Sequence, residues 1–202
     1  PPLNQLTLQF TDAAPTGTCP ITISRTYTIT DICLNVSAAL TQTITIDDNT
    51  APTFTGTIAA INVEDCDITG LPAALDIAGL IAAGATISDA CTPLNQLTVQ
   101  FSDAAPTGSC PITISRTYTI TDICLNVSAA LTQTITIDDN TAPTFTGTLA
   151  AINVEDCDIT GLPTALDIAG LIAAGATISD ACTPLNQLTV QFSDAAPTGS
   201  CP

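Results

Sequence analysis

The chain has no histidine, lysine, methionine or tryptophan, and only 2 basic residues, both arginine, among its 202 residues. Each absence closes a class of function. Without histidine the common general base and the common zinc ligand are missing, and a Ser–His–Asp triad cannot be assembled. Without lysine there is no Schiff-base chemistry and no Lys–Asn isopeptide crosslink. Two bases against 19 acidic residues leave a net charge of −17, so no basic footprint for nucleic acid exists. Aromatic residues are 3% of the chain, which argues against stacking platforms for sugars and leaves the core to Ile, Leu, Val and Ala. The longest apolar run, residues 77–85, falls far short of the ~20 residues of a membrane span. No nucleophile–base arrangement is visible, and a glycosidase-like carboxylate pair needs a cleft that a small, Leu/Ile/Ala-filled domain does not offer. The sequence therefore reads as a non-enzyme. It opens at Pro1 and Pro2 with no signal peptide, and reads as a fragment or a mature segment.

What is present is a repeat. Residues 2–111 align with residues 93–202 without a gap, a period of 93 − 2 = 91. Of those 110 pairs, 5 differ, all mildly: Leu8/Val99, Thr11/Ser102, Thr18/Ser109, Ile58/Leu149 and Ala73/Thr164. A period this long suits a whole domain better than a solenoid unit. Near-identical tandem copies suit stalks, adhesins and filaments, where length and multivalency are the function. The polar segment from Asp47 to Phe54, with its copy from Asp138 to Phe145, reads as the linker. The expected division is a back portion over 1–51, a complete domain over 52–142 and a front portion over 143–202. Such a cut leaves an uncovered apolar face in residues 1–51. Either the chain is a window on a longer repeating one, the reading preferred, or one chain's front portion completes the next chain's back portion.

Within the complete copy, residues 112–121 alternate strictly, with Ile112, Ile114, Tyr118 and Ile120 on one face and Thr113, Ser115, Thr117, Thr119 and Thr121 on the other. Residues 131–137 repeat the pattern. Period two with β-branched residues predicts half-buried antiparallel strands. Further strands are expected over 97–101 and 57–63, and a short helix over 74–83, with Pro72 near its start and Gly84 at its end. The predicted fold class is all-β: tandem Ig-like antiparallel β-sandwich domains of 91-residue period, about seven short strands each, with one short helix.

The 9 cysteines are Cys19, Cys33, Cys66, Cys91, Cys110, Cys124, Cys157, Cys182 and Cys201, four per repeat. In a Thr-rich, acidic domain they point to disulfides and an oxidising compartment. No Cys-x-x-Cys pair suggests zinc. Cys110 and Cys124 flank an extended strand, which at about 3.3 Å per residue sets them some 35–45 Å apart, far beyond the ~7 Å a disulfide spans. That pairing is excluded, and Cys66–Cys91 with it. Strand direction favours Cys66–Cys110 with Cys91–Cys124; Cys66–Cys124 with Cys91–Cys110 stays open. In the last partial copy, Cys157–Cys201 is the expected pair.

The segments Arg116 to Asn126 and Thr132 to Pro143 resemble the tandem Ig-like repeats of giant Bacteroidota surface adhesins and gliding-associated filament proteins, relatives of the hyalin-repeat module. The pattern there is Arg-Thr-aromatic-Thr-x-Thr-Asp-x-Cys-Gly-Asn; here Leu125 stands where glycine is common. The resemblance implies a structural segment of a bacterial surface fibre or adhesin stalk, secreted, in that phylum often by the type IX route, and exposed at the cell surface. Its partners would be neighbouring copies of the same repeat, as a homopolymeric fibre. The alternative is that each repeat is a binding module for a glycan or a partner surface.

Acidic residues gather at predicted domain ends. Asp47, Asp48 and Asn49 mark one linker, Asp138, Asp139 and Asn140 the next, and Asp122 a nearby strand end, where Asp89 and the Glu64–Asp67 segment also fall. Calcium takes six to eight oxygens from carboxylates and carbonyls and rigidifies such junctions, so these seven residues form the expected calcium set. Otherwise they are solvated turn residues that keep an acidic fibre soluble. By parity Arg116 lies on the face of Ile114 and Tyr118, and a buried guanidinium must be paired, so it is expected to meet a carboxylate or carbonyl of its own domain. Asn35 and Asn126 head N-glycosylation triplets.

Overall fold

The computed structural model describes residues 2–156 and 159–198. The alternating segments are strands. Within the complete copy they are β8 (Ile112–Thr121), β9 (Leu131–Asp138) and β7 (Thr98–Asp103). Their equivalents in the preceding copy are β1 (Thr7–Asp12), β2 (Ile21–Thr30) and β3 (Leu40–Ile46). Four shorter strands, β4 (Thr53–Gly56), β5 (Ile61–Glu64), β6 (Ala85–Ser88) and β10 (Thr144–Gly147), precede β11 (Ala176–Ser179). Two six-residue helices, α1 (Ile77–Ala82) and α2 (Ile168–Ala173), complete the elements used below.

The strands form a three-stranded sheet β1-β2-β3, a four-stranded sheet β5-β9-β8-β7, and the pairs β4-β6 and β10-β11. The described registers are antiparallel and recur with the repeat. Thr7 faces Thr30 and Asp12 faces Arg25; 91 residues on, Thr98 faces Thr121 and Asp103 faces Arg116. The chain is β-rich with few short helices. It forms two compact units, one from residues 1–61, 72–105 and 114–135, the other from 62–71, 106–113 and 136–202.

Two differences from expectation concern the front of the repeat. The single strand expected over 57–63 is not formed; β4 lies before it and β5 covers only its end. Thr53 and Phe54, read as linker, belong to β4. Phe54 is buried and sits opposite Ile87 of β6, so burial of one aromatic decides a segment too short for its period to be read. The helix is shorter than expected, because Asp76 caps it by accepting a hydrogen bond from the Gly79 N–H at 2.7 Å. It ends at Gly84, whose φ of +111° an L side chain would strain.

The core of the first unit is Phe54, Ile58, Leu80, Ala85, Ile87, Leu97, Tyr118 and Ile120. It joins the front of the copy to its back. A buried polar chain runs through it: the Leu75 N–H donates to Tyr118 Oη at 3.1 Å, Tyr118 Oη donates to Gln133 Oε1 at 3.4 Å, and Gln133 Nε2 donates to the Ala59 carbonyl at 2.8 Å. Arg116 is buried as parity demands, and its partners are of its own copy. It forks onto Asp103 at 2.6 and 2.8 Å, donates to the Pro72 carbonyl at 2.8 Å and lies over the Phe101 ring.

The covalent pattern corrects the expected one. Cys66 is bonded to Cys182 and Cys124 to Cys19, with Cα–Cα distances of 4.8 and 5.2 Å. Cys91 and Cys110 carry exposed free thiols, as does Cys33. The pairs Cys66–Cys110 and Cys91–Cys124 are therefore not formed. The expectation confined each bridge to one copy, whereas near-identical copies offer every cysteine a second partner of the same type 91 residues away. Cys157 and Cys201, expected to pair, lie outside the described residues.

Candidate metal centre at the linker

Three carboxylates converge where residues 47–52 pass the ends of two strands. Asp48 lies between β3 and β4, Asp89 follows β6 and Asp122 follows β8, and one oxygen of each lies within 4.8 Å of the others. Asp122 is buried and the other two are half-buried. Local turn chemistry places each of them. Asp122 Oδ1 accepts the N–H groups of Cys124 and Asn126, each at 2.8 Å, and its Oδ2 accepts Asn126 Nδ2 at 2.9 Å. Asp89 Oδ1 accepts the N–H groups of Cys91 and Thr92 at 2.9 and 2.7 Å. Asp48 Oδ1 accepts the Thr50 N–H at 3.0 Å, and the Asp48 carbonyl accepts Asn126 Nδ2 at 2.9 Å. One oxygen of Asp48 and one of Asp89, and both of Asp122, are thus spent on local turns, the usual use of Asp in such loops.

The remaining oxygens of Asp48 and Asp89 are buried and have no hydrogen-bond partner, and neither do the hydroxyls of Thr92 and Thr121, which adjoin the cluster in sequence. Buried polar atoms are normally satisfied, and like charges this close repel. The field of the cluster reaches a neighbour: Asp48 foremost, then partial burial and Asp89, push the Cys91 thiol above its ordinary value. A hard divalent cation would satisfy the orphaned oxygens and offset the repulsion, and an all-oxygen set suits calcium.

Of the seven expected ligands the structure brings together two, Asp48 and Asp122. Asp89 is the third member, and it lay outside the expected set. A signal for it existed: the Asp-x-Cys spacing of Asp122 and Cys124 recurs at Asp89 and Cys91, at Asp31 and Cys33, and at Asp180 and Cys182. Each of these aspartates accepts the N–H of its cysteine. Asp47 instead lies beside the bridge, with Oδ1 3.4 Å from Cys19 Sγ, and Asn49 donates to its other oxygen at 3.5 Å. Cys19, Asp47 and Cys124 also cluster, but sulfurs bonded to each other are not thiolate ligands.

The equivalent segment one period on, residues 138–141, is tied down differently. Glu64 of β5 accepts the Asn140 N–H at 2.7 Å, Asn140 Nδ2 at 3.0 Å and the Thr141 hydroxyl at 3.1 Å. These bonds, the Asn140 N–H foremost, hold the Glu64 carboxyl below its usual range. The Asp138 carbonyl accepts the Asp65 N–H, and Asp139 Oδ1 accepts the Thr141 N–H. Asp138, Asp139 and Asn140 form no three-carboxylate group among the described residues. The side-chain amide of Asn126, head of a glycosylation triplet, is occupied by Asp48 and Asp122.

Compared with known proteins, the chain matches no family model, no curated sequence and no solved structure.

Proposed function

We propose that this chain is a structural segment of an extracellular bacterial surface fibre or adhesin stalk. Its repeats are taken as tandem Ig-like β-sandwich domains, one complete over 52–142, flanked by a back portion over 1–51 and a front portion over 143–202. Their work is reach and stiffness, and calcium held by Asp48, Asp89 and Asp122 stiffens the linker. One observation carries the reading: both disulfides join cysteines belonging to successive copies of the repeat. A bridge between copies does nothing for the chemistry of one domain and a great deal for the continuity of a string. Disulfides also belong to oxidising compartments, and no described helix is long and apolar enough to cross a membrane. Immunogold labelling of intact source cells tests the reading. Gold along extended surface appendages is the expected result, and label confined to the cell interior would overturn it.

A further inference from the structure

Two segments meet at the carboxylate cluster. One follows β3 and contains Asp47 and Asp48; the other is the turn after β8, from Asp122 to Asn126. Each is organised by bonds within itself. The Thr50 N–H donates to Asp48 Oδ1 at 3.0 Å, and the N–H groups of Cys124 and Asn126 donate to Asp122 Oδ1, each at 2.8 Å. Two links cross between the segments. Asn126 Nδ2 donates at 2.9 Å to the Asp48 carbonyl, 78 residues away in sequence. Cys124 of the turn is bonded to Cys19, whose Sγ lies 3.4 Å from Asp47 Oδ1.

One force opposes these links. Asp48, Asp89 and Asp122 each bring an oxygen within 4.8 Å of the others, and like charges at that range repel. The same turns hold all four buried side-chain oxygens without a hydrogen-bond partner among the described residues. They belong to Asp48, Asp89, Thr92 and Thr121. Thr92 is 2% exposed, and its N–H donates to Asp89 Oδ1 at 2.7 Å; Thr121, 7% exposed, directly precedes Asp122. Crowded carboxylates alone ask for no ion, but two buried hydroxyls without partners in the same turns do, since such groups are normally satisfied.

Holding the two segments together costs conformational freedom and, without an ion, charge repulsion. The bridge and a bound cation must each meet that same cost. Whichever forms first lowers what the other has to supply, so the two events favour each other, and by equal factors in both directions.

We propose that calcium at Asp48, Asp89 and Asp122 and the Cys19–Cys124 bridge control one another: calcium protects the bridge from reduction, and reduction loosens calcium. The inference rests on the calcium site of the stalk reading and adds its regulation. The reductant is an external small-molecule thiol. Its thiolate attacks one sulfur of the bridge and expels the other cysteine, which takes up a proton. A second external thiolate attacks the sulfur of the first in the mixed disulfide and expels the remaining cysteine. The bridge gains two electrons and two protons, and the two external thiols lose them and leave as one disulfide. Calcium loss then returns the repulsion of three bare carboxylates. Bridge and ion form one latch, closed in an oxidising medium that contains calcium.

Two measurements on the full chain test this. In the first, calcium chloride is titrated by calorimetry into the oxidised parent and into the double variant Cys19→Ser with Cys124→Ser, which keeps the Cys66–Cys182 bridge. The expected Kd is about 5- to 150-fold higher in the variant, the usual range of such couplings. The second needs no variant. The parent is equilibrated in glutathione buffers of graded poise, with calcium or with chelator, and the bridged peptides are quantified by mass. Calcium should stabilise Cys19–Cys124 against reduction by the same factor. It should leave Cys66–Cys182 unmoved, since no three-carboxylate group among the described residues includes a neighbour of that bridge. Equal Kd values with and without the bridge, or a Cys19–Cys124 fraction that ignores calcium, would overturn the coupling and leave the calcium site standing. An equal calcium shift in both bridges would overturn it as well, as a general stabilisation. No calcium binding to either form would remove the site and the coupling together, leaving the bridged stalk to be judged by its surface labelling.

Discussion

Arg25 and Arg116 are one residue of the repeat in two surroundings. Both fork onto an aspartate and lie over a phenylalanine, yet the Arg116 side chain is 3% exposed and that of Arg25 is 31%. The difference is the front half of the copy, which brings the Pro72 carbonyl to Arg116 and has no counterpart beside Arg25. The hydrogen bond from Arg116 lowers the Asp103 carboxyl against the opposing effect of burial, and Coulomb attraction adds to it. Because the folded value lies below the unfolded one, the pair's stabilisation is complete above about pH 4, the ordinary aspartate range. It is lost as pH falls through the folded value. Asp103→Asn should therefore cost about 1–3 kcal/mol at pH 7, and urea midpoints of variant and parent should converge in acid. A gap that stays constant down to acid would refute the ion pair. At the linker, Asp48→Asn keeps the oxygen that accepts the Thr50 N–H and removes one of three crowded charges. Without divalent ions it should melt higher than the parent. With calcium the parent should gain stability and the variant should gain little, as linkage requires. Melting curves that ignore calcium in both proteins would leave the aspartates as turn chemistry.

Secondary structure was legible wherever a segment was long enough to show its period. β8 falls on the predicted residues, and β9 and β7 fall within a residue or two of theirs, because ten, eight and six residues display alternation. β4 and β6 have four residues each, and only the meeting of Phe54 and Ile87 across them makes them strands. Two of the three candidate ligands were legible on the same terms. Asp48 and Asp122 stand out as acidic residues at element ends, but only the fold brings Asp89 to them. The bridges were illegible in principle, since identical copies give a cysteine the same surroundings in its own repeat and in the next. The turn after β8 shows a local cost as well. Leu125 adopts φ of +69°, a region that favours glycine, as Leu34 does at +64° in the preceding copy. Its side chain is 80% exposed, so no packing offsets the left-handed conformation. Leu125→Asn, a residue that tolerates this region, should raise thermal stability by up to about 1 kcal/mol, read from the melting temperature at saturating calcium. A lower melting temperature would show that Leu125 makes a contact the turn needs.

For the whole molecule, the connectivity of the bridges decides how far the chain can be drawn out. The loop from Cys19 to Cys124 and the loop from Cys66 to Cys182 overlap, so neither lies inside the other. Between Cys19 and Cys182 the backbone runs 182 − 19 = 163 residues, but the shortest covalent route leaves Cys19, follows the backbone to Cys66, a distance of 66 − 19 = 47 residues, and crosses to Cys182. At about 3.6 Å per residue the full backbone would reach roughly 590 Å and the bridged route roughly 170 Å. A load applied at the two ends therefore meets a covalent limit long before the chain is unravelled, whatever the strength of the sheets. Two separate bridges, each within its own copy, would leave the linker between copies to stretch freely. Pulling single molecules by their ends, first oxidised and then in reductant, measures the difference directly. Reduction should lengthen the fully extended chain by about 420 Å, and the oxidised molecule should stiffen at its limit even after its strands have parted. Equal final lengths in the two conditions would show that the bridges between copies do not form in solution, and the mechanical reading of the repeat would fall with them.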